Sequence, residues 1–182
     1  MKSKEKEILE LIFNSTKQWH FTELLEAVKI GRPQLARWLA LLEKEKIIKR
    51  IKRKGKMPYY VHNFEAPEFK IRKKMHAYEK LYKSGLLGHL ASLKGAKTVI
   101  LFGSFSREDW YADSDIDLFI YGSDSGLKKA FFESKLGRAI QVHSAKNNKD
   151  IQKISKLLPY IISGNFIKGS VADLGVEINA KA

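Results

Sequence analysis

The sequence predicts an α+β chain: a basic front of three helices and a β-hairpin, a linker helix, then a small mixed β-sheet with flanking helices. Three observations carry this. Apolar residues recur at helical spacing through the first forty-odd residues. Two β-rich runs then enclose a Lys/Arg/Gly/Pro stretch, and beyond residue 95 short apolar runs of strand length replace the helical pattern. These divisions set expected boundaries at 1–64, 65–94 and 95–182.

Ile8, Leu11 and Ile12 place a first helix over about Lys4 to Asn14. Thr22 is the expected N-cap of a short second helix carrying Leu24, Leu25 and Val28. Gly31-Arg32-Pro33 makes a tight turn, and Pro33 suits the first position of a third helix with Leu35, Trp38, Leu39 and Leu42 on one stripe. That stripe reads as ordinary core. Ile47 to Ile51 and Tyr59 to Val61 then flank a turn, and six of the eight residues from Lys49 to Lys56 are basic. In this order the elements resemble a winged helix-turn-helix domain, the wing being the basic hairpin. The resemblance implies duplex DNA as partner: Lys52, Arg53, Lys54 and Lys56 on phosphates, with Arg32, Gln34 and Arg37 on the third helix facing the groove. A solvated basic face is the plain alternative for the lysine run.

Ala66-Pro67 interrupts the chain, after which Ile71, Met75, Tyr78, Leu81 and Tyr82 resume helical spacing in a linker helix with a basic outer face. Domain packing explains such a stripe, and so does a homodimer. Leu86 to Leu93 forms a further short helix, and Thr98 to Phe102 a buried strand.

Gly103-Ser104 stands where that strand ends, and Asp115-Ile116-Asp117 follows after ten intervening residues. On the next strand, Ile116 to Tyr121, alternation sends Asp115 and Asp117 to one face. Two carboxylates in one small space raise each other's pKa and strain the fold unless a cation offsets them. Mg²⁺ or Mn²⁺ suits this, because Mg²⁺ accepts one or two carboxylates and completes its shell with phosphate oxygens and water. Gly103 allows close approach of backbone to a ligand, and Ser104 offers a hydroxyl and an amide N–H to a phosphate.

The segment Val99 to Ile120 resembles the minimal nucleotidyltransferases of the DNA polymerase β superfamily, whose hallmark is Gly-Ser, about ten residues, then Asp-x-Asp on the next strand. The resemblance implies NTP as ligand or substrate, triphosphate on Gly103 and Ser104, and catalytic metal on Asp115 and Asp117. Arg107 is either an added phosphate-binding or turn-stabilising group, or a surface arginine paired with Asp109 or Asp113. One departure stands out. Such families place a third carboxylate on a later strand after a Gly-Arg or Gly-Lys pair, and after Gly137-Arg138 this chain has Gln141, which cannot take a proton. His143 lies two residues on, on the same face of that strand, and is either a base or a polar strand-end residue. Two functional expectations follow: nucleotide transfer to a protein or nucleic-acid acceptor, or a transcriptional regulator whose transferase-like domain senses nucleotide. Similar proteins pair with a helical HEPN-type toxin, which makes such a partner an expectation here.

Asn147 to Leu158 is expected to be helical, closing near Pro159 and Gly164, and Ser170 to Ala182 to be a loosely held tail. Basic charge is concentrated in front: residues 1–63 carry +8, 64–95 carry +4 and 96–182 only +2. A polyanion therefore suits the front half. With no cysteine, disulfides and thiolate metal sites are excluded. No stretch is apolar enough for a membrane span, and with no signal-like start the expected location is cytoplasmic.

Overall fold

In a computed structural model, which describes residues 4–175, the apolar spacing at the front becomes helix α1, Lys4–Asn14, burying Ile8, Leu9, Ile12 and Phe13. A two-residue strand β1, Trp19–His20, leads directly into α2, Phe21–Val28. The cap of α2 is His20 rather than the expected Thr22. Glu23 reaches back to accept the His20 backbone N–H at 2.8 Å, and Thr22 lies inside the first turn. Helix α3, Arg32–Lys44, is capped by Gly31, so Pro33 is its second residue. Leu35, Leu39 and Leu42 are buried as expected, with Trp38 only partly so.

Strands β2, Ile48–Ile51, and β3, Tyr59–His62, form the antiparallel hairpin. Strand β1 pairs with the other edge of β3, giving the order β1-β3-β2. Periodicity missed β1 because two residues show no alternation.

The described residues fall into two compact units. The first holds the chain up to Met75 together with Trp110–Ala112, the second His76–Asp109 and the residues from Asp113 onward. Within the first unit Trp110 is a core residue, 1 % exposed. Its ring meets Phe13 edge-on at 6.3 Å, and Phe13 in turn meets Phe69 at 5.4 Å. The buried Lys73 ammonium sits 4.9 Å from the Trp110 ring centre and 4.4 Å from that of Tyr111, a cation–π arrangement that offsets part of its desolvation. The Ala112 N–H donates to the Asn14 carbonyl at 3.0 Å.

Helix α4, Pro67–Ser84, forms where the helical spacing resumes but turns its faces the other way. Phe69, Lys73 and Ala77 are buried, and of the expected stripe Leu81 is buried whereas Ile71, Met75 and Tyr82 are exposed. Helical spacing fixes which residues share a face and not which face turns inward.

In the second unit α5, Leu86–Ala91, precedes strand β4, Ala96–Phe102. A four-residue helix α6, Ser104–Arg107, follows, then β5, Ile116–Gly122, α7, Lys129–Leu136, and β6, Ile140–Ala145. Helices α8, Asn148–Lys153, and α9, Leu158–Ile162, replace the single expected helix, and Pro159 is the second residue of α9 rather than a closing residue. Strand β7, Asn165–Lys168, completes a sheet ordered β6-β5-β4-β7. Its β5–β6 pair is parallel and the other two pairs antiparallel. One face packs Ile100, Phe102, Phe119 and Tyr121 beneath Ile151, Leu158 and Ile161. Val99, Leu101, Leu118 and Ile120, which alternate with them, are buried too, so both faces are covered.

The expected tail is ordered in its first part. Val171–Leu174 forms a 3-10 turn whose Asp173 accepts from the Ser170 N–H at 2.7 Å and from the Thr98 hydroxyl at 3.0 Å. Residues 176–182 lie outside the described residues.

Candidate nucleotide and metal site

The buried apolar run of β4 delivers Gly103 to the end of the strand, and β5, its antiparallel neighbour, sets Asp117 opposite Phe102 in register. Gly103 has φ 71° and ψ −151°, backbone that only glycine adopts readily. Close approach demands glycine as well. A Cβ there would collide with the Asp117 carboxylate and lie 2.8 Å from its Cγ. The Asp117 carboxylate is thus seated on the bare backbone of the Gly-Ser turn. From that turn α6 starts, its Ser106 hydroxyl donating to the Gly103 carbonyl at 3.0 Å.

Asp115, two residues before Asp117, accepts a hydrogen bond at 2.5 Å from the Gln141 side-chain amide. Gln141 stands directly opposite Asp117 in the parallel β5–β6 pairing. Gln141, expected to stand in place of a third carboxylate, thus reaches Asp115 as a hydrogen-bond donor. Burial pushes the half-buried Asp117 carboxyl above its ordinary value; His143 pulls it down, Asp115 pushes it further up and Arg107 pulls it down. A cation between the two carboxylates would relieve this load.

His143 shares the strand face of Gln141 and stacks edge-on against Phe102, ring centres 5.5 Å apart. Arg107 is exposed and pairs with Asp109 at 3.3 Å, one of the two surface pairings expected for it. It still lies near enough to Asp117 to act on its charge. Sequence reasoning passed over Arg138 as a fixing element: its guanidinium donates to the Ser114 carbonyl at 2.9 Å and lies 5.2 Å from the Phe105 ring centre. It ties the segment before Asp115 to β6 and α6.

Among the described residues no group of three or more His, Cys, Asp or Glu is placed to hold a metal ion. A cation at Asp115 and Asp117 would lean on these two carboxylates and on ligands from a bound phosphate. Mg²⁺ tolerates such a set.

The front unit presents the other sequence-derived candidates. Arg32, Gln34, Arg37, Lys52, Arg53, Lys54 and Lys56 are all exposed. Arg53 lies over the Tyr59 ring at 5.9 Å and Arg32 over Phe21 at 5.8 Å. Between hairpin and helices runs a groove of about 520 Å³ lined by His20, Phe21, Arg32, Arg50, Met57 and Tyr60. Arg50 and His20 were not singled out from sequence, although the basic run containing Arg50 was the available signal.

A strand-borne Gly-Ser turn cradling one member of an Asp-x-Asp pair defines the protein's class. Residues 83–173, half of the chain, match the nucleotidyltransferase domain family, and the chain belongs to that family. No curated protein and no solved structure matches it. None of the helices among the described residues is long and apolar enough to cross a membrane.

Proposed function

We propose that the protein binds a nucleoside triphosphate with Mg²⁺ or Mn²⁺ at Gly103, Ser104, Asp115 and Asp117, and transfers its nucleoside monophosphate to a protein or nucleic-acid acceptor, with pyrophosphate as the leaving group. The observation that supports this reading is the Asp117 carboxylate seated on Gly103, the closeness expected of a metal ligand beside a phosphate-binding turn. The metal supplies charge neutralisation on the triphosphate. Ser104 holds phosphate through its hydroxyl and amide N–H, and Arg107 adds a positive charge at the rim. His143, on the same face and close enough to act on Asp117, is the candidate proton acceptor for the attacking group.

The front unit is read as a winged helix-turn-helix domain that holds duplex DNA. Its +8 charge over residues 1–63 and its exposed basic hairpin support this. Chain divisions near residues 64 and 94 belong to the same reading. A HEPN-type protein is a candidate acceptor of the nucleotide.

The hydrogen bond from Gln141 to Asp115 favours a second reading: a site that binds nucleotide without turnover, in a regulator that senses it. Mg²⁺ with ATP or another NTP should raise the melting temperature of the wild-type chain and leave that of the Asp115→Asn/Asp117→Asn variant unmoved. An equal response of both chains would remove the site from this place. α-Labelled NTPs with metal and candidate acceptors then separate the two readings. Label transferred by the wild type alone supports the enzyme, and binding without transfer for all four nucleotides supports the sensor.

A further inference from the structure

The groove between hairpin and helices of the front unit has no part in the contacts proposed for the hairpin tip. None of its lining residues is acidic, and two are arginines, Arg32 and Arg50. Arg50 stands directly across from Tyr60 in the β2–β3 pairing and two residues along from the buried Ile48, so it lies on the core side of the sheet. Among the described residues neither arginine pairs with a carboxylate. Glu23, the acid next along from the lining residue Thr22, is already held by Lys17 at 2.9 Å and by the His20 N–H at 2.8 Å. Two cations facing one concavity without counter-charge draw an anion from outside the chain.

Beside the arginines the groove is aromatic and apolar. Tyr60 forms part of its wall, Phe21 is half-buried with the Arg32 guanidinium 5.8 Å from its ring centre, and Met57 stands 72 % exposed. The shape is set before any ligand arrives. Strand β1 pairs with β3, and His20 Nδ1 lies 3.3 Å from the Pro58 carbonyl oxygen, which joins the start of α2 to the hairpin.

We propose that this groove binds one unpaired nucleotide of a nucleic-acid strand, with the base against Phe21, Tyr60 and Met57 and the phosphate on Arg32 and Arg50. At about 520 Å³ it has the size that takes one small flat ligand. A phosphate alone would leave the aromatic wall unfilled, so the ligand carries a flat ring as well. A paired base shows its edges and keeps its faces stacked, which turns the groove away from intact duplex. Met57 and Pro58 directly follow Lys56, so a strand leaving past them runs onto the basic tip, where its next phosphates meet Lys54 and Lys56. A free nucleotide would leave that continuation unused. The inference rests on the reading of the front unit as a nucleic-acid binder and adds an unpaired strand to it.

Fluorescence anisotropy of the full chain tests this with three labelled DNAs: a blunt duplex, the same duplex with a short single-stranded overhang, and one whose overhang is abasic sugar-phosphate of equal charge. The overhang with bases should bind at least about fivefold tighter than the abasic one, the worth of stacking a single base. Phe21→Leu should erase that difference. Arg50→Gln, at an exposed position, keeps the test open should the Phe21 variant unfold: it should weaken binding of the overhang and leave the blunt duplex as in wild type. A nucleoside monophosphate without metal should displace the overhang far less well than unlabelled tailed duplex does. Equal affinity for the two overhangs, an Arg50→Gln chain that binds the overhang as wild type does, or a free monophosphate that competes as well as the strand would each overturn this proposal alone. No binding of any of the three DNAs would overturn it together with the nucleic-acid reading of the front unit.

Discussion

Gln141 is where the residue scale matters most. A carboxylate in its place would face Asp117 across the β5–β6 pairing and add a third negative charge beside Asp115. The amide instead donates to Asp115 and offsets part of that carboxylate's charge. Gln141→Glu should therefore weaken the apo fold and strengthen Mn²⁺ binding, raising any nucleotide transfer. Isothermal titration with Mn²⁺ and a melting curve without metal check both directions. Gly103 is subject to two independent demands, its backbone angles and its closeness to Asp117. Gly103→Ala should cost about 1–3 kcal/mol for the backbone alone, before the Asp117 carboxylate is displaced. Chemical denaturation measures the first effect, and loss of the NTP-dependent rise in melting temperature measures the second.

Among elements, the hairpin β2–β3 concentrates charge at its tip while its strands bury Ile48 and Tyr60. The two roles are separable. Replacing Lys52, Arg53, Lys54 and Lys56 with alanine should leave the fold intact and weaken duplex DNA binding. The slope of log affinity against log salt should become shallower by roughly 0.9 for each phosphate that is no longer neutralised. A fluorescence-anisotropy titration at several salt concentrations measures it, and an unchanged slope would take these residues out of the interface.

Elements whose identity is set by local pattern were legible in the sequence: α1, α3, the hairpin, β4 and β5. Those set by tertiary pairing were not. Strand β1 exists because Trp19 and His20 meet Tyr60 and Tyr59, and β7 because Asn165, Phe166 and Lys168 meet β4. Neither segment carries alternation long enough to announce itself. The site was legible in outline, since Gly-Ser and Asp-x-Asp are local motifs. The Gln141 hydrogen bond and the Arg138 tie to Ser114 join residues 24 to 26 apart, and sequence spacing cannot report such partners.

For the whole molecule, the telling feature is the core of the first unit. Trp110 lies among the largest fully buried side chains, yet it sits 35 residues beyond Met75, the last residue of that unit's continuous stretch. Removing a buried aromatic ring of this size costs about 3–5 kcal/mol. Trp110→Ala should lower the stability of the front unit by that order, read by denaturant titration of the full chain.

A practical boundary follows. A fragment ending at residue 75 would leave behind the indole that completes its own interior, together with the N–H that the Asn14 carbonyl accepts. The front unit is thus no detachable cassette. Swapping it onto another protein, by recombination or in the laboratory, requires carrying three residues from the stretch between Ser104 and Asp115, or supplying a substitute plug for the hole they leave.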